Sequence, residues 1–395
     1  MKKIGLFLGA SPSYGGTFQY SQALLGSVSP LPKDKFSVVV VYTAEAWVKH
    51  LEAYDVKKVP VRKGFWGRAF CFGLLVLGMP VSVWRQICRH VHPVALTLLE
   101  EQCDLWIFPC SDGWSYLVPV PALVTIHDLM HRYEPRFPEV SEKGEHRRRE
   151  RDFSNICKWA KGILVDSEVG RLQVMESYEL DASRIHVLPY IPPKYIYSHD
   201  ASADFDSIYR LPKKYIFYPA QFWEHKNHER LIRAVGRLKR EIPDLKLVLS
   251  GSKRNAYDSV RNLVRDLNLT DDIFFLGYVP DKDMLELYRR ARALVIPTFF
   301  GPTNIPPLEA FVVGCPVAIS GIYGMPEQVG DAALLFDPKS VAEIAECIRR
   351  LWTDDELCTT LAAKGRQKAA LWGEKQFNEK FRNVIERILS EHQID

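Results

Sequence analysis

Short runs of apolar residues alternate with longer amphipathic or polar stretches along most of this chain. Such alternation is typical of buried parallel strands that are joined by crossover helices. The pattern therefore predicts an α/β protein. The predicted strands are Ile4–Leu8, Ser37–Tyr42, Leu105–Phe108, Leu123–Ile126, Ile163–Val165 and His186–Leu188 in the first half, and Tyr215–Tyr218, Lys246–Leu249, Ile273–Leu276, Ala293–Ile296, Pro316–Ile319 and Leu334–Phe336 in the second.

The segment from 190 to 212 separates the two series of strands. It is rich in Pro, Ser and Asp and shows no sustained periodicity, which is typical of a linker. We therefore predict an N-terminal α/β domain over residues 1–193, a linker over 194–212, a C-terminal α/β domain over 213–373 and an amphipathic helix within 374–395. Ligands of open parallel sheets bind at the carboxyl ends of the strands, so we expect the function to lie in the strand-to-helix turns.

The composition is that of an ordinary globular protein, with 47% hydrophobic and 25% charged residues, and it excludes a disordered, collagen-like or coiled-coil chain. The 52 basic and 48 acidic side chains leave a net charge of only +4, so nucleic acid is not an expected partner. The eight cysteines include no C-x-x-C pair, which favours reduced thiols in the cytoplasm. The first apolar run ends at Gly9, which is too early for a secretory signal.

Two features of the first half follow predicted strands. Gly15 and Gly16 precede a helix that is expected to begin near Thr17. Paired glycines let a ligand approach the backbone closely, and the N-terminus of a helix is a suitable site for a phosphate. A paired-glycine turn also occurs without any ligand. His127 follows the fourth strand, where an imidazole could donate to a sugar hydroxyl or a phosphate oxygen, although a lone histidine can equally be structural.

Two features of the second half also follow strands. Lys226 lies in a turn before a helix, where its ammonium could neutralise a diphosphate, but a solvated surface lysine would have the same spacing. Glu309 lies in the first turn of a helix that begins through Pro306 and Pro307. Its carboxylate could stabilise the helix dipole or accept hydrogen bonds from a ribose diol.

Metal binding is not expected. His225 and His228 lack a third ligand at a suitable spacing. The two D-x-D triplets at 204–206 and 281–283 are interpreted as surface or capping residues.

The segment from Ile305 onward resembles the E-x7-E region of the GT-B glycosyltransferases of family 4, which usually reads E-G-F-G-x-P-x-L-E-A. The glycine loop, the histidine, the lysine turn and the glutamate helix occur in the same order as in that family. The chain is therefore similar to retaining enzymes of bacterial cell-surface polysaccharide and O-antigen assembly. The resemblance implies two Rossmann-like doubly wound domains that face a central cleft, with the last helix packed back on the N-terminal domain.

The resemblance also implies roles for individual residues. Glu309 matches the glutamate that holds the nucleotide ribose, and Lys226 matches the lysine that meets the donor diphosphate. Gly16 matches the loop glycine that lets the diphosphate approach, and His127 matches the histidine near the donor sugar. The implied catalytic residues are His127, Lys226 and Glu309, and the implied donor-binding residues are Gly15, Gly16, Gln221, Lys226, Tyr278, Val279, Thr303, Asn304, Ile305 and Glu309.

Two departures from the family pattern bear on activity. Gly301 stands eight residues before Glu309, where the family has its first glutamate, and Gln221 stands where the family has an arginine. In one interpretation, Thr303, Asn304 and backbone amides hold the sugar in place of the missing carboxylate. In the other, activity has been lost and the protein is a nucleotide-sugar sensor or a scaffold of a polysaccharide assembly complex. We favour the first because the rest of the motif set is intact.

The reaction that the resemblance implies is transfer of a hexose from a nucleoside diphosphate sugar to a saccharide or lipid-linked saccharide acceptor, with retention at the anomeric carbon. Mannose is the expected sugar, by similarity to relatives with a Gly-Pro-Thr-Asn turn. We expect front-face attack without a metal or other cofactor. A sugar-nucleotide epimerase of the same fold would need acid and base residues around the sugar, and the sequence does not identify them.

Residues 57–92 carry a further signal. From Val56 to Leu99 there is no acidic residue, whereas basic residues stand at 57, 58, 62, 63, 68, 85 and 89. The uncharged stretch 69–84 is shorter than the roughly 20 residues that span a bilayer. The segment could lie on an anionic membrane surface, or it could be a buried helix with a solvated basic rim. In the first case the protein would be cytoplasmic and peripheral to the membrane.

Overall fold

The computed structural model of the protein describes residues 1–11, 15–62, 64–76, 78–198 and 202–390. Lys63 of the basic segment lies outside these ranges, as do three residues of the predicted linker and the last five of the chain. The strands are β1 Lys2–Leu8, β2 Phe36–Tyr42, β3 Lys57–Pro60, β4 Leu105–Phe108, β5 Ala122–Thr125, β6 Gly162–Val165, β7 Ile185–Val187, β8 Ile216–Pro219, β9 Leu247–Ser250, β10 Ile273–Phe275, β11 Ala293–Ile296, β12 Val317–Ser320 and β13 Ala333–Phe336.

Helices connect these strands. They are α1 Gly16–Val28, α2 Ala46–Leu51, α3 Phe65–Val76, α4 Val81–Val91, α5 Pro93–Glu100, α6 Trp114–Leu117, α7 Met130–Tyr133, α8 Pro138–Ser141, α9 Glu145–Trp159, α10 Glu168–Tyr178, α11 Phe205–Tyr209, α12 His228–Leu238, α13 Tyr257–Asp266, α14 Asp281–Arg290, α15 Pro306–Val313, α16 Met325–Val329, α17 Val341–Thr353, α18 Asp355–Leu371 and α19 Glu374–Ser390. None of the described helices is both long enough and apolar enough to cross a bilayer.

The strands form two parallel sheets. One has the order β3-β2-β1-β4-β5-β6-β7 and the other the order β10-β9-β8-β11-β12-β13. Every residue of β4, β5, β6, β9, β11 and β12 is buried, as expected for parallel strands with both faces covered by helices. The α/β prediction is therefore confirmed, with two doubly wound, Rossmann-like sheets.

The apolar pattern did not predict strand β3, because three of its four residues are exposed at the edge of the first sheet. Lys57 donates from Nζ to both carboxylate oxygens of Glu101, at 2.8 and 2.7 Å. Arg62 pairs with Glu100. Two basic residues of the 57–92 segment are thus paired with carboxylates of this same region, rather than all being displayed to an anionic surface.

The chain divides into two compact units. The first comprises residues 1–129, 147–189 and 374–395, and the second comprises residues 130–146 and 190–373. Residues 130–146, which the sequence assigned to the N-terminal domain, instead group with the second unit. The physical reason is apolar packing within that unit, where Met130, Phe137 and Val140 form one buried cluster with Phe299 and Phe300.

The last helix, α19, belongs to the first unit and packs against α1 there. Phe377 and Phe381 are buried on its apolar face, and Ser27 of α1 donates to Asn378 Oδ1 at 2.5 Å. The apolar face of α19 therefore packs on the first unit.

Packing at the centre of the first sheet makes a prediction about Gly5. This residue pairs with Trp106 of β4, and a Cβ added at Gly5 would lie 2.4 Å from the indole ring. We expect Gly5→Ala to destabilise the protein by about 1–3 kcal/mol, as overpacked core substitutions do, which is about 2–4 °C in Tm per kcal/mol. Calorimetric or optical melting would measure the change.

The matched control for that prediction is Gly73→Ala in α3. A Cβ at Gly73 has no atom within 4 Å, and alanine is a better helix former than glycine. We expect this variant to melt at or above the temperature of the wild type. Equal Tm values for the wild type and Gly5→Ala would show that Trp106 does not require a glycine beneath it.

Candidate functional site

The second sheet has its topological switch point between β8 and β11. The chain proceeds from β8 to β9 and β10 on one side and then returns to β11 on the other. Ligands of such sheets bind outside the carboxyl ends of the strands at this point. The two loops that follow β8 and β11 are joined there, because Phe299 donates its backbone N–H to the carbonyl of His225 at 2.8 Å.

The loop after β8 carries Lys226 in a tight turn. Residues Glu224–Lys226 form a 3-10 turn, Asn227 follows with φ 58°, and α12 begins at His228. Asn227 is buried, and its Nδ2 donates to the carbonyls of Pro297 and Pro338 at 2.8 and 2.9 Å. The carbonyl of Lys226 accepts from the hydroxyl of Tyr218 at 2.9 Å. The half-buried lysine is therefore carried on a fixed backbone at the start of a helix.

Gln221 lies in the same loop and holds an arginine that sequence analysis missed. Its Oε1 accepts from Trp223 Nε1 at 2.9 Å and from Arg254 Nε at 3.2 Å. The guanidinium carbon of Arg254 lies 5.0 Å from the centroid of the Trp223 ring, which adds a cation–π attraction. Where the family pattern has an arginine, this protein thus has a glutamine that bonds an arginine from the loop after β9.

Arg254 is exposed and makes no ion pair within the described residues. Its loop adjoins the loop of Lys226 because β8 and β9 are neighbours and because Phe222 donates to the carbonyl of Ser252 at 3.1 Å. The signal in the sequence was the basic pair at Lys253 and Arg254, in the turn that follows the predicted strand Lys246–Leu249. Two cationic side chains therefore come from adjoining loops at the carboxyl edge of this sheet.

Glu309 lies in the first turn of α15 and is buried, with 4% of its surface exposed. One of its carboxylate oxygens accepts from the hydroxyl of Tyr195 and the other from the hydroxyl of Tyr288. Burial raises the pKa of Glu309 to about 7, although the two tyrosine hydrogen bonds act to lower it. Neither tyrosine carried a signal in the sequence, since Tyr195 belongs to the predicted linker and Tyr288 to a helix without a motif.

The turn that contains Thr303 and Asn304 follows β11. The side-chain amide of Gln328 bonds both backbone groups of Asn304. Its Oε1 accepts from Asn304 N at 3.0 Å, and its Nε2 donates to Asn304 O at 2.6 Å. The side-chain Nδ2 of Asn304 is buried and donates to none of the described residues. Gly301 has φ 140°, which favours glycine at the position of the missing motif glutamate.

The remaining donor-binding candidates of this unit differ in exposure. Ile305 caps α15, and its carbonyl accepts from Leu308 N at 2.9 Å. Tyr278 is 66% exposed and Val279 is buried. The pKa of the Tyr195 hydroxyl is raised mainly by burial. Asp281 and Tyr278 lie near enough to Tyr195 to add smaller contributions in the same direction.

The first sheet has its switch point between β1 and β4. Gly15 follows β1 with φ 57°, in the left-handed region that favours glycine, and its carbonyl accepts from Phe18 N at 2.9 Å as α1 begins at Gly16. Asp112 follows β4 and was missed by sequence analysis. Burial raises the pKa of Asp112 to about 6, and a Cβ added at Gly9 would lie 2.8 Å from its Oδ2.

His127 lies after β5, the next strand of this sheet. Its ring packs edge-on against Tyr20, with 5.2 Å between the ring centroids. Burial lowers the pKa of His127, and the nearby charge of Asp128 and a hydrogen bond to the backbone of Pro109 oppose this shift. The imidazole is therefore mostly neutral at pH 7, and Arg149 pairs with Asp128 beside it.

The sequence-predicted residues thus fall into two groups, one on each unit. The carboxyl edge of the first sheet carries Gly15, Gly16 and His127. The carboxyl edge of the second carries the loops of Lys226 and Asn304, together with α15 and its Glu309. Across the described ranges, no three His, Cys, Asp or Glu side chains converge as metal ligands would, and Asp283 of one D-x-D triplet instead accepts from Ser202 N and from the hydroxyl of Tyr209.

Residues 202–368 match the family model of glycosyl transferases group 1. An O-antigen chain mannosyltransferase B of Escherichia coli is 31% identical over 262 residues, which is 65% of this chain and 66% of that protein. A serotype-specific mannosyltransferase of Escherichia coli is 24% identical over 274 residues, which is 65% of this chain but 33% of that protein.

Among solved structures, Anabaena HepE in complex with UDP-glucose is similar in fold. It has a TM-score of 0.73 at 16% identity, and the match covers 98% of this chain and 100% of that one. A lipopolysaccharide glycosyltransferase, WaaG, matches with a TM-score of 0.65. These neighbours are GT-B glycosyltransferases. Residues 202–368 of this chain are therefore a glycosyl transferases group 1 domain, within a GT-B fold of two Rossmann-like sheets.

Proposed function

We propose that the protein is a retaining glycosyltransferase that moves a hexose from a nucleoside diphosphate sugar to a saccharide or lipid-linked saccharide acceptor. The observation that carries the proposal is the pair of cations, Lys226 and Arg254, on the adjoining loops that follow β8 and β9 at the carboxyl edge of the second sheet. A diphosphate carries the complementary charge, and lysine and arginine bind phosphate through charge-assisted hydrogen bonds. We therefore propose that the site needs no metal. The domain match at residues 202–368 supports the same substrate class.

In the proposed reaction the bond between the anomeric carbon and the diphosphate oxygen breaks, and a bond from that carbon to the acceptor oxygen forms on the same face. The acceptor proton passes to the leaving phosphate oxygen. Lys226, Arg254 and the N-terminus of α12 would stabilise the negative charge that develops on the diphosphate, and preorganised donors of this kind are worth about 3–4 kcal/mol each. The neutral imidazole of His127 would donate to, or accept from, a sugar hydroxyl.

Mannose is the sugar that we propose for the donor. The two Escherichia coli relatives reported above are named as mannosyltransferases, one of them of the O-antigen chain. The buried Nδ2 of Asn304 is a donor suited to a sugar hydroxyl at the position next to Gly301. It would supply part of the binding that the missing motif glutamate provides in the family.

A nucleotide-sugar sensor or scaffold without activity is the second candidate. Gly301 favours it, because this residue has no carboxylate to place near the donor sugar. Selective binding of a sugar nucleotide, with neither hydrolysis nor transfer to any candidate acceptor, would support this function over the transferase.

We also propose that α3 rests on an anionic membrane surface. Four aromatic side chains of α3 are between 54% and 83% exposed, namely Phe65, Trp66, Phe70 and Phe72. By helical periodicity, Ala69 lies between them on the same side of the helix. Exposed apolar patches of this kind mark interaction surfaces. Arg68 is exposed, and the sequence has no acidic residue from 57 to 99, so the charge of this region is complementary to anionic lipid.

The proposed diphosphate site predicts the effect of removing each cation. We expect Lys226→Ala and Arg254→Ala each to weaken binding of the preferred nucleoside diphosphate about 10-fold or more, since a hydrogen bond to a charged group is worth about 1.5–3 kcal/mol. Titration calorimetry with GDP, UDP, dTDP and ADP, and with the bare nucleosides, would measure this. Each nucleoside should bind both variants as it binds the wild type.

Arg265→Ala is the control for those two variants, because Arg265 is an exposed arginine of α13 whose guanidinium donates to Asn262 Oδ1 and, within the described ranges, makes no hydrogen bond to either loop. It should leave diphosphate binding unchanged. A wild type that binds none of the four diphosphates would contradict the proposed function, and a full-affinity Arg254→Ala would remove that residue from the site.

The raised pKa of Glu309 predicts how nucleoside binding depends on pH. Below about pH 7 the carboxyl is largely protonated, and a ribose diol donates better to the ionised form. Binding should therefore release a proton, and affinity should rise with pH from about 5.5 and level off above 7. Calorimetry in buffers of different ionisation enthalpy would count the protons.

Glu309→Gln should abolish both the proton release and the pH dependence. If the wild type binds its nucleoside with equal affinity from pH 5.5 to 8, Glu309 serves Tyr195 and Tyr288 and does not hold the ribose.

The membrane proposal predicts that Phe65→Ser combined with Trp66→Ser will lower recovery of the protein in flotation with vesicles of anionic lipid, because each buried aromatic contributes to interfacial binding. The control is Leu371→Ser, which changes a residue of α18 that is 77% exposed, and it should float as the wild type does. Equal flotation of all three proteins would exclude α3 as the docking surface.

A further inference from the structure

Residues 130–146 come from the first half of the sequence and belong to the second unit. Phe137 anchors them, with its ring centroid 5.6 Å from that of Phe299. The guanidinium carbon of Arg136 lies 4.7 Å from the centroids of both rings. This anchored segment presents α8, whose first turn contains Glu139, to the loops that follow β8 and β9.

The side chain of Glu139 is buried, with 7% of its surface exposed. Its Oε1 accepts from His225 N at 3.0 Å and lies at hydrogen-bond distance from His225 Nδ1. Its Oε2 accepts from Asn255 Nδ2 at 2.9 Å. Burial by itself would raise the pKa of Glu139, but the hydrogen bonds from His225 lower it to about 2, so the carboxylate stays ionised at physiological pH.

Asn255 connects Glu139 to the 3-10 turn that contains Lys226. Its Oδ1 accepts from Glu224 N at 3.0 Å, so the same amide that donates to Glu139 also fixes the first residue of the 3-10 turn. His225 directly precedes Lys226, and Asn255 directly follows Arg254. One carboxylate therefore bonds the chain neighbour of each of the two proposed cations.

We propose that Glu139 is a positioning residue that sets the spacing of Lys226 and Arg254 for the donor diphosphate. The inference rests on the proposed function, because it concerns how the two cations are held. Without the carboxylate, the N–H of His225 and the amide of Asn255 lose their acceptor, and the two loops are free to separate. Misplacement of binding groups by about 1 Å reduces function strongly. In this proposal the diphosphate contacts both cations and a bare nucleoside, which has no phosphate, does not, so nucleoside binding should be little affected.

The test compares Glu139→Ala and Glu139→Gln with the wild type in the full chain. The probe is whichever of GDP, UDP, dTDP and ADP binds the wild type, together with its bare nucleoside. We expect Glu139→Ala to weaken diphosphate binding about 10-fold or more and to change nucleoside binding less than 2-fold. Glu139→Gln keeps one acceptor oxygen for His225 N, so its affinity for the diphosphate should lie between the other two.

Glu134→Gln is the matched control, because Glu134 belongs to the same segment and accepts from Tyr323 and Arg136 rather than from either loop. It should bind the diphosphate as the wild type does. If Glu139→Ala weakens diphosphate and nucleoside equally, or binds both at full affinity, the positioning role is overturned.

Two further outcomes keep the two proposals apart. If the wild type binds a diphosphate and both Glu139 variants bind it with the affinity of the wild type, only the inference about Glu139 fails. If the wild type binds no diphosphate, the proposed function fails and the inference fails with it. If Glu139→Ala does not fold, the diphosphate affinities of Glu139→Gln and Glu134→Gln are compared instead. A weaker affinity of Glu139→Gln alone supports the positioning role, and equal affinities overturn it.

Discussion

The side-chain amide of Asn227 is the contact on which the geometry of the second unit's site depends. It donates to the carbonyl of Pro297, after β11, and to that of Pro338, after β13, while its own backbone lies after β8. Three loops at one sheet edge are thus joined by a single buried group. A buried carbonyl without a partner costs about 1–3 kcal/mol, so any displacement of this turn is opposed by two such losses at once. Lys226 is the residue that directly precedes Asn227.

Two buried carboxyl groups of the second unit, those of Glu139 and Glu309, show how hydrogen-bond partners determine whether a buried carboxyl is ionised. Glu139 accepts from a backbone N–H, from an imidazole and from an amide, and its pKa falls to about 2. Glu309 is also buried and, among the described residues, its carboxylate accepts from two phenol hydroxyls, and its pKa rises to about 7. Desolvation acts in the same direction on both groups, and the number and kind of hydrogen-bond donors decide the outcome. One carboxylate is therefore a permanent anion that organises loops, and the other can change its charge near neutral pH.

The departures from the family motif also have a physical context. Loss of an arginine at position 221 would remove one charge from the edge, but Gln221 accepts from Arg254 and brings a guanidinium from the next loop. Loss of the first motif glutamate leaves Gly301 with a backbone that favours glycine, beside the buried amide of Asn304. A missing side chain in one loop is therefore not the same as a missing charge in the site, because adjacent parallel strands bring their following loops together.

The sequence by itself determined the fold class, because parallel strands that are buried on both faces must be short and almost wholly apolar. Twelve of the thirteen described strands carry that signal, and β3 does not because its residues are exposed at the sheet edge. The position of His127 was also predictable, since it directly follows an apolar run. Gly15, Lys226 and Glu309 lie further along, in the turn or first helical turn that comes after a predicted strand.

Only the tertiary structure decided what surrounds those residues. Arg254 lies 33 residues from Gln221, Tyr195 lies 114 from Glu309, and Glu139 lies 86 from His225. The assignment of residues 130–146 to the second unit was equally invisible, because its cause is the burial of Phe137 beside Phe299. Local patterns report which face of an element is buried, whereas hydrogen bonds between distant loops depend on how the sheet orders its strands.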